Sequence, residues 1–212
     1  MDKIDSAKSD TEQRILQAAE EEFLQKGLEG ARTTTIAERA GVTHAMLHYY
    51  FRTKGMLFER IISEKMQQVG NILLTVFVAD DLPLMDRIQQ GVEQHFDFIA
   101  AHPDLPRFVI QEIYTHPERH EMMRSQISGI VDRLLGDLQR QIDRSAAAGD
   151  MAWVDARMLF LDIISLNIFS FICFPIIKPL LGELTADEKG FLEKRKAENV
   201  AVIMKRLKRT EA

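Results

Sequence analysis

Residues 33–54 read TTTIAERAGVTHAMLHYYFRTK, and the apolar spacing within them fixes two short helices that meet at a sharp turn. Thr33 or Thr34 can cap the first helix, a hydroxyl there accepting from an otherwise orphaned backbone N–H, and Ile36, Ala37 and Ala40 then share one inward face. Gly41 stops that helix, and Thr43 is placed to cap a second one. At about 100° per residue, Leu47, Tyr50 and Phe51 of the second helix point one way while Ala45, Met46, His48 and Tyr49 point the other. The inward set needs a core to pack against. The outward set, a methyl, a thioether and two rings, suits a helix laid in the DNA major groove, where side chains must reach base edges and phosphates.

The flanks carry the pattern further. Arg14, Ile15, Leu16, Ala18, Ala19, Phe23 and Gly27, then Thr33, Ile36, Ala37, Ala40, Gly41, Val42, Leu47, Tyr49, Phe51, Lys54 and Leu57, resemble the DNA-binding domain of the tetracycline-repressor (TetR) family over residues 10–60. The resemblance implies a second helix that enters the major groove, a first helix whose N-terminal Thr meets a phosphate, and a following Lys that holds the DNA backbone. Carried over by position, Thr33 and Lys54 become phosphate contacts. Thr34, Thr43, His44, Ala45, Met46, His48 and Tyr49 become candidates for base or phosphate contact. Many members place a phosphate-binding Tyr directly after the Leu; this chain has His48 there, so that contact falls to either His48 or Tyr49.

At 212 residues the chain is long enough for one large domain or for a small domain joined to a larger one. Cys173, the single cysteine, excludes an internal disulfide, and the charged start MDKIDSAKSD lacks the apolar core of a secretory signal. A cytoplasmic protein is expected. The net charge of −5, taken whole, runs against nucleic-acid binding. Its distribution answers the objection, because Arg32, Arg39, Arg52, Lys54 and Arg60 stand against Glu38 and Glu59 within 32–60, beside His44 and His48.

Apolar residues recur at three- and four-residue steps along the whole chain, which makes it all-α with about nine helices. Ser9 and Glu12 form a capping-box pair ahead of Ile15, Leu16, Ala19 and Phe23, with Gly27 as the stop. Thr53 can cap a long helix through Leu57, Phe58, Ile61, Ile62, Met66, Val69 and Leu73 that ends at Asp80, Asp81 and Pro83. Over 54–78 it would span about 35 Å. A helix-turn-helix DNA-binding domain is therefore expected over 1–53, and a helical ligand-sensing and dimerisation domain over 54–212, with the helix from 54 linking them. Leu84, Ile88, Val92, Phe96 and Ile99 mark the next helix, HPDLP at 102–106 breaks it, and a short helix carries Phe108, Val109, Ile113 and Tyr114. Met123, Ile127, Ile130, Val131, Leu134, Leu138 and Ile142 trace a longer one, closed at Ala148, Gly149 and Asp150. Residues 156–177 are apolar on nearly every side. Their uncharged run 163–177 still holds Ser165, Asn167, Ser170 and Pro175 and falls short of the about 20 apolar residues of a membrane span, so a buried or interfacial helix is expected and no membrane partner. Thr185 and Glu188 open a last helix through Phe191, Val200, Ile203, Met204 and Leu207.

Several features invite sharper readings. His116, His120 and Glu121 have the step of a metal site, but no second cluster supplies further ligands, and neither metal nor cofactor is expected. Cys173 lies among Phe171, Ile172, Phe174 and Pro175, away from any base that would activate it, and reads as core; no catalytic residue is expected. The cations Lys194, Arg195, Lys196, Lys205, Arg206, Lys208 and Arg209 read as a solvated helix face favoured near a helix C-terminus. His95 and Asn167 are polar residues within apolar stripes, either anchors for a ligand or groups hydrogen-bonded inside the core.

Taken together, the residues and the resemblance lead to the expectation of a one-component transcription regulator, a repressor released from its operator by a small, mostly apolar effector. One short helix-turn-helix reads too few base pairs to single out a site, so a homodimer on palindromic double-stranded DNA is expected. Its seam is expected along the last two long helices, with Leu166, Phe169, Ile203 and Leu207. The effector cavity is expected among 66–138, lined by His95, Phe96, Ile99, Phe108, Tyr114 and Met123. A nucleoid-associated dimer of the same fold without a ligand, and an all-helical enzyme, are the competing classes; the enzyme lacks a clustered acid, base or nucleophile.

Overall fold

The computed structural model describes residues 3–78, 82–115 and 120–209, the side chains of 3–9, 66, 69, 70, 72–78, 112, 113, 115 and 120–130 excepted. These residues form ten α-helices: α1 (Lys3–Gly30), α2 (Thr33–Arg39), α3 (His44–Phe51), α4 (Lys54–Val78), α5 (Leu84–Ala101), α6 (Leu105–Thr115), α7 (His120–Ala148), α8 (Ala156–Ile172), α9 (Phe174–Leu181) and α10 (Glu188–Leu207). A 3₁₀ turn at Gly182–Thr185 precedes α10, and no strand occurs among the described residues. The apolar stretch read as one helix over 156–177 is two. Pro175 sits in the first turn of α9, where its missing N–H costs nothing but an unbroken helix arriving from α8 would be disrupted, and the axes bend by 74°. Among the described residues no single helix is long and apolar enough to cross a membrane; the bent pair passes on length and composition only.

The chain divides into two compact units, Met1–Gln67 and Gln68–Ala212, and α4 runs unbroken from the first into the second. In the first unit Ile15, Ala19 and Phe23 of α1, Ile36 of α2, Leu47 of α3 and Leu57 of α4 are all fully buried. Phe23 stands edge-on to Phe58 at 5.2 Å. Gly27 is a kink rather than an end: its φ of 67° breaks the helical geometry, and one more turn follows to Gly30. In the second unit, Leu84, Ile88 and Val92 of α5, Leu138 and Ile142 of α7, Leu159 of α8, and Ile203 and Leu207 of α10 form one core with Met151 and Val154. Each such side chain, once fully buried, contributes about 1.5–3 kcal/mol.

Candidate nucleic-acid interface and regulatory helices

The turn between α2 and α3 is set by hydrogen bonds that only a left-handed residue permits. Val42 N–H donates to Ala37 O at 3.0 Å and Gly41 N–H to Glu38 O at 3.1 Å, a Schellman closure, with Gly41 at φ 64°. Arg14 of α1 donates to Ala40 O at 3.0 Å, which fixes the turn to the rest of the unit. The cap expected at the start of α2 is corrected. Arg32 occupies the N-cap position in an extended conformation with no side-chain cap, and Thr33 is already helical, its hydroxyl 3.0 Å from His44 Nε2 instead. Thr43 does cap α3, accepting from Met46 N–H at 3.2 Å.

On α3, Leu47 and Phe51 are buried and Tyr50 is half-buried, whereas His44, Ala45, Met46, His48 and Tyr49 face solvent, Tyr49 at 74% exposure. Thr34 and Thr43 are exposed beside them. The sequence reading is thus reproduced on the outward face, with one difference in chemistry. His48 Nδ1 lies 2.9 Å from Arg52 O and its ring meets His44 edge-on at 4.4 Å, so this imidazole is engaged within the unit. Arg52 has φ 44° and ψ −54°, and Thr53 N–H donates to Phe51 O across it. This is the positive-φ γ-turn, rare and strained, and a conformation of this kind costs on the order of 1–3 kcal/mol. Thr53 then caps α4, its hydroxyl accepting from Met56 N–H at 3.1 Å. Lys54 Nζ donates to Glu29 O at 3.3 Å and Ala31 O at 3.1 Å, tying the start of α4 to the end of α1. An ammonium has three donors, so one remains for a phosphate.

A feature the sequence reading missed lies beneath this surface. Glu22 of α1 has no exposed side-chain area; it accepts from Lys26 Nζ at 2.7 Å and from Arg32 N–H at 3.4 Å, and pairs with Arg39 at 3.4 Å. Burial pushes its carboxyl up, but the Lys26 bond, the Arg32 amide and the Lys26 and Arg39 charges outweigh it and hold the group below its ordinary value. One buried carboxylate therefore references both ends of α2 to α1. The signal available in the sequence was position: Glu22 lies three residues after Ala19 and next to Phe23, on the face that α1 buries.

In the second unit, His95, Phe96, Ile99 and Phe108 are buried. His95 and Asn167 are hydrogen-bonded to each other: Asn167 Nδ2 donates to Val92 O at 2.9 Å and to His95 Nδ1 at 3.1 Å, and Asn199 Nδ2 donates to Asn167 Oδ1 at 3.0 Å. Burial pushes the His95 pKa down to about 4. Tyr114, expected in a cavity, is 82% exposed on α6, which takes it out of any enclosed lining. The side chain of Met123, like those of His120 and Glu121 at the start of α7, and the whole of His116 lie outside the described residues. An apolar groove of about 540 Å³ occurs elsewhere, on α8 to α10, lined by Phe169, Ile177, Leu181, Leu184 and Phe191 with Lys194 and Arg195 at its rim.

Of the expected seam residues, Ile203 and Leu207 are corrected: at 1% and 0% exposure they belong to the core of their own chain and cannot meet a partner. Leu166 is half-buried against that core. Phe169 is exposed, and with Met158 and Leu161 it forms an outward apolar stripe on α8; Val202 on α10 is exposed too. Several of the C-terminal cations are spoken for: Lys196 pairs with Asp97 at 2.9 Å, Arg206 pairs with Asp162, and Arg195 donates to Ser170 at 3.1 Å.

Comparison with known proteins accords with this geometry. Residues 15–61 match the family profile described as bacterial regulatory proteins, tetR family, and residues 85–203, more than half of the chain, match a tetracyclin repressor-like C-terminal domain. The HTH-type transcriptional repressor SCO4008 of Streptomyces coelicolor is 33% identical over 102 residues, 48% of this chain and 49% of that protein. The HTH-type transcriptional regulator RutR of Escherichia coli is 28% identical over 154 residues, 68% of this chain and 66% of that one. The chain thus spans about half the length of the first curated relatives it matches. Among solved structures, the transcriptional regulator FadR from Bacillus subtilis in complex with stearoyl-CoA superposes with a TM-score of 0.61 at 17% identity, over 92% of this chain and 98% of that one, a likeness of fold.

Proposed function

This chain belongs to the tetR family of bacterial regulatory proteins, and on that premise we propose that it is a transcriptional repressor that binds a palindromic DNA operator as a homodimer and is released by a small, mostly apolar effector. The observation that carries the reading is the outward face of α3, with Ala45, Met46 and Tyr49 exposed on a helix capped by Thr43 and closed by the Gly41 turn. On this reading His44, Ala45, Met46 and Tyr49 meet bases or phosphates, and Thr33, Thr34, Thr43 and Lys54 hold the backbone. The DNA-binding domain comprises 1–53 and the sensing and dimerisation domain 54–212, with α4 shared between the two compact units. Such a regulator works where the chromosome lies, in the cytoplasm.

The outward stripe of Met158, Leu161 and Phe169 supports dimerisation, since three large apolar side chains spaced along one helix face are costly to leave wet. An apolar effector is supported by the apolar groove on α8 to α10 and by the stearoyl-CoA with which FadR, a protein of this fold, forms a complex. To act, it must bind the DNA-competent and incompetent states with different affinity. Immunoprecipitation of the protein with its genomic DNA tests the reading: a regulator occupies a few sites near promoters, whereas a nucleoid-associated dimer occupies many scattered ones, and an all-helical enzyme occupies none.

A further inference from the structure

We propose that His48 is a positioning residue for DNA reading rather than a DNA contact: it holds the left-handed turn at Arg52 that joins the reading helix α3 to α4. The inference rests on the regulator reading above. Among the described residues, Arg52 alone combines a side chain with a positive φ. His48 grips it at both ends, its carbonyl accepting from Arg52 N–H at 2.9 Å and its Nδ1 lying 2.9 Å from Arg52 O.

That geometry settles which ring nitrogen carries the hydrogen. A carbonyl oxygen has no proton to give, so Nδ1 donates, and that bond turns the ring towards Arg52. Tyr49, one residue on, presents an exposed hydroxyl that can donate, and takes the phosphate contact that position 48 would otherwise supply. His44 leans edge-on against the same imidazole and touches the Thr33 hydroxyl, so the clasp also connects to α2. Beyond Arg52 the chain passes directly into α4, fixed by the Thr53 cap and by Lys54 on the carbonyls of Glu29 and Ala31. Without the His48 clasp, α3 can swivel at Arg52 relative to α1 and α4 although no side chain that touches DNA has been removed.

The test uses duplexes that the full-length wild-type protein enriches from a random-sequence pool. His48→Ala should weaken binding about tenfold, the loss expected of one hydrogen bond, on every enriched duplex alike, with the preferred bases and the slope of log K against log salt unchanged. Arg52→Gly adopts positive φ without assistance, so in that background His48→Ala should cost less than about twofold. A second measurement covers a variant that fails to fold: imidazole nitrogen shifts of the wild-type protein should place the His48 proton on Nδ1. Altered base preference, a slope flattened by about 0.9 as for a lost phosphate contact, an undiminished loss in the Arg52→Gly background, or a proton on Nε2 would each overturn the proposal while leaving the regulator reading intact. Failure of the wild-type protein to enrich any duplex would overturn both.

Discussion

Asn167 on α8 donates to His95 Nδ1 on α5 across 3.1 Å, inside a core where both side chains are almost wholly buried. An amide nitrogen cannot accept, so His95 is the acceptor and is held neutral with its proton on Nε2. Its pKa is down to about 4 because burial penalises the charged ring. The unfolded chain then takes up the proton first, so stability is full above about pH 6.5 and falls as the pH drops from there towards about 4. Between pH 7 and pH 5 the loss should be about 2 kcal/mol at fixed protomer concentration. Urea unfolding at the two pH values should show this for the wild-type protein, and a much smaller change for His95→Gln, whose amide oxygen can still accept from Asn167. Equal losses in both proteins would remove His95 as the cause.

Glu22 behaves oppositely at the level of the residue, because its carboxyl is stabilised as the anion. Its contribution is present above the ordinary carboxylate range and is lost as the pH falls through the depressed folded value. Glu22→Gln should therefore destabilise the protein by roughly 1–2 kcal/mol at pH 7, a modest figure because Lys26 and Arg39 are both partly exposed and screened. The difference from wild type should shrink below about pH 4. Thermal unfolding across pH measures it; a gap that widens in acid contradicts the assignment.

On α8 and α10, outward and inward positions should respond differently. Leu161→Glu or Phe169→Glu places a charge on the exposed stripe and should give helical monomers in sedimentation, with DNA affinity lost. Ile203→Ala instead opens a cavity in the chain's own core and should cost about 2–5 kcal/mol of folding stability without any preference for the monomer. A wild-type protein that sediments as a monomer at micromolar concentration would remove the dimer from the account.

Lys54 has two tasks in this structure, so its removal should show twice. Lys54→Ala should flatten the slope of log K against log salt by about 0.9, weakening all duplexes alike. It should also lower the unfolding midpoint, since Glu29 O and Ala31 O lose their donor. If the salt slope stays as in wild type, the lysine does not meet a phosphate.

The sequence disclosed the head more fully than the rest, for a physical reason. Caps, glycine turns and the three- to four-residue period are local, and Thr43, Gly41, Leu47 and Tyr49 announce their roles within a few residues of one another. What it hid depends on distant partners. Ile203 and Leu207 share a stripe with Val200 and Met204 that suits a seam as well as a core, and only the approach of α5, α7 and α8 decides between them. Glu22 gives no local sign of its role because its partners, Arg32 N–H and Arg39, lie beyond a turn. The break at Cys173 was written in Pro175, yet a proline within an apolar run reads equally as a kinked helix until the neighbouring packing is known. Tyr114 was assigned to a cavity from its place on an apolar stripe, and a stripe does not say which of its edges reaches solvent.

The central claim, that α3 reads bases in the major groove as one half of a dimer, is tested most directly by selection of duplexes from a random-sequence pool with the wild-type protein and with Met46→Ala in parallel. The account predicts that the wild-type protein enriches a palindrome of two identical half-sites, and that Met46→Ala enriches a palindrome of the same spacing with different preferred bases in each half. Enrichment of no common sequence, or of the same half-sites by both proteins, would contradict it.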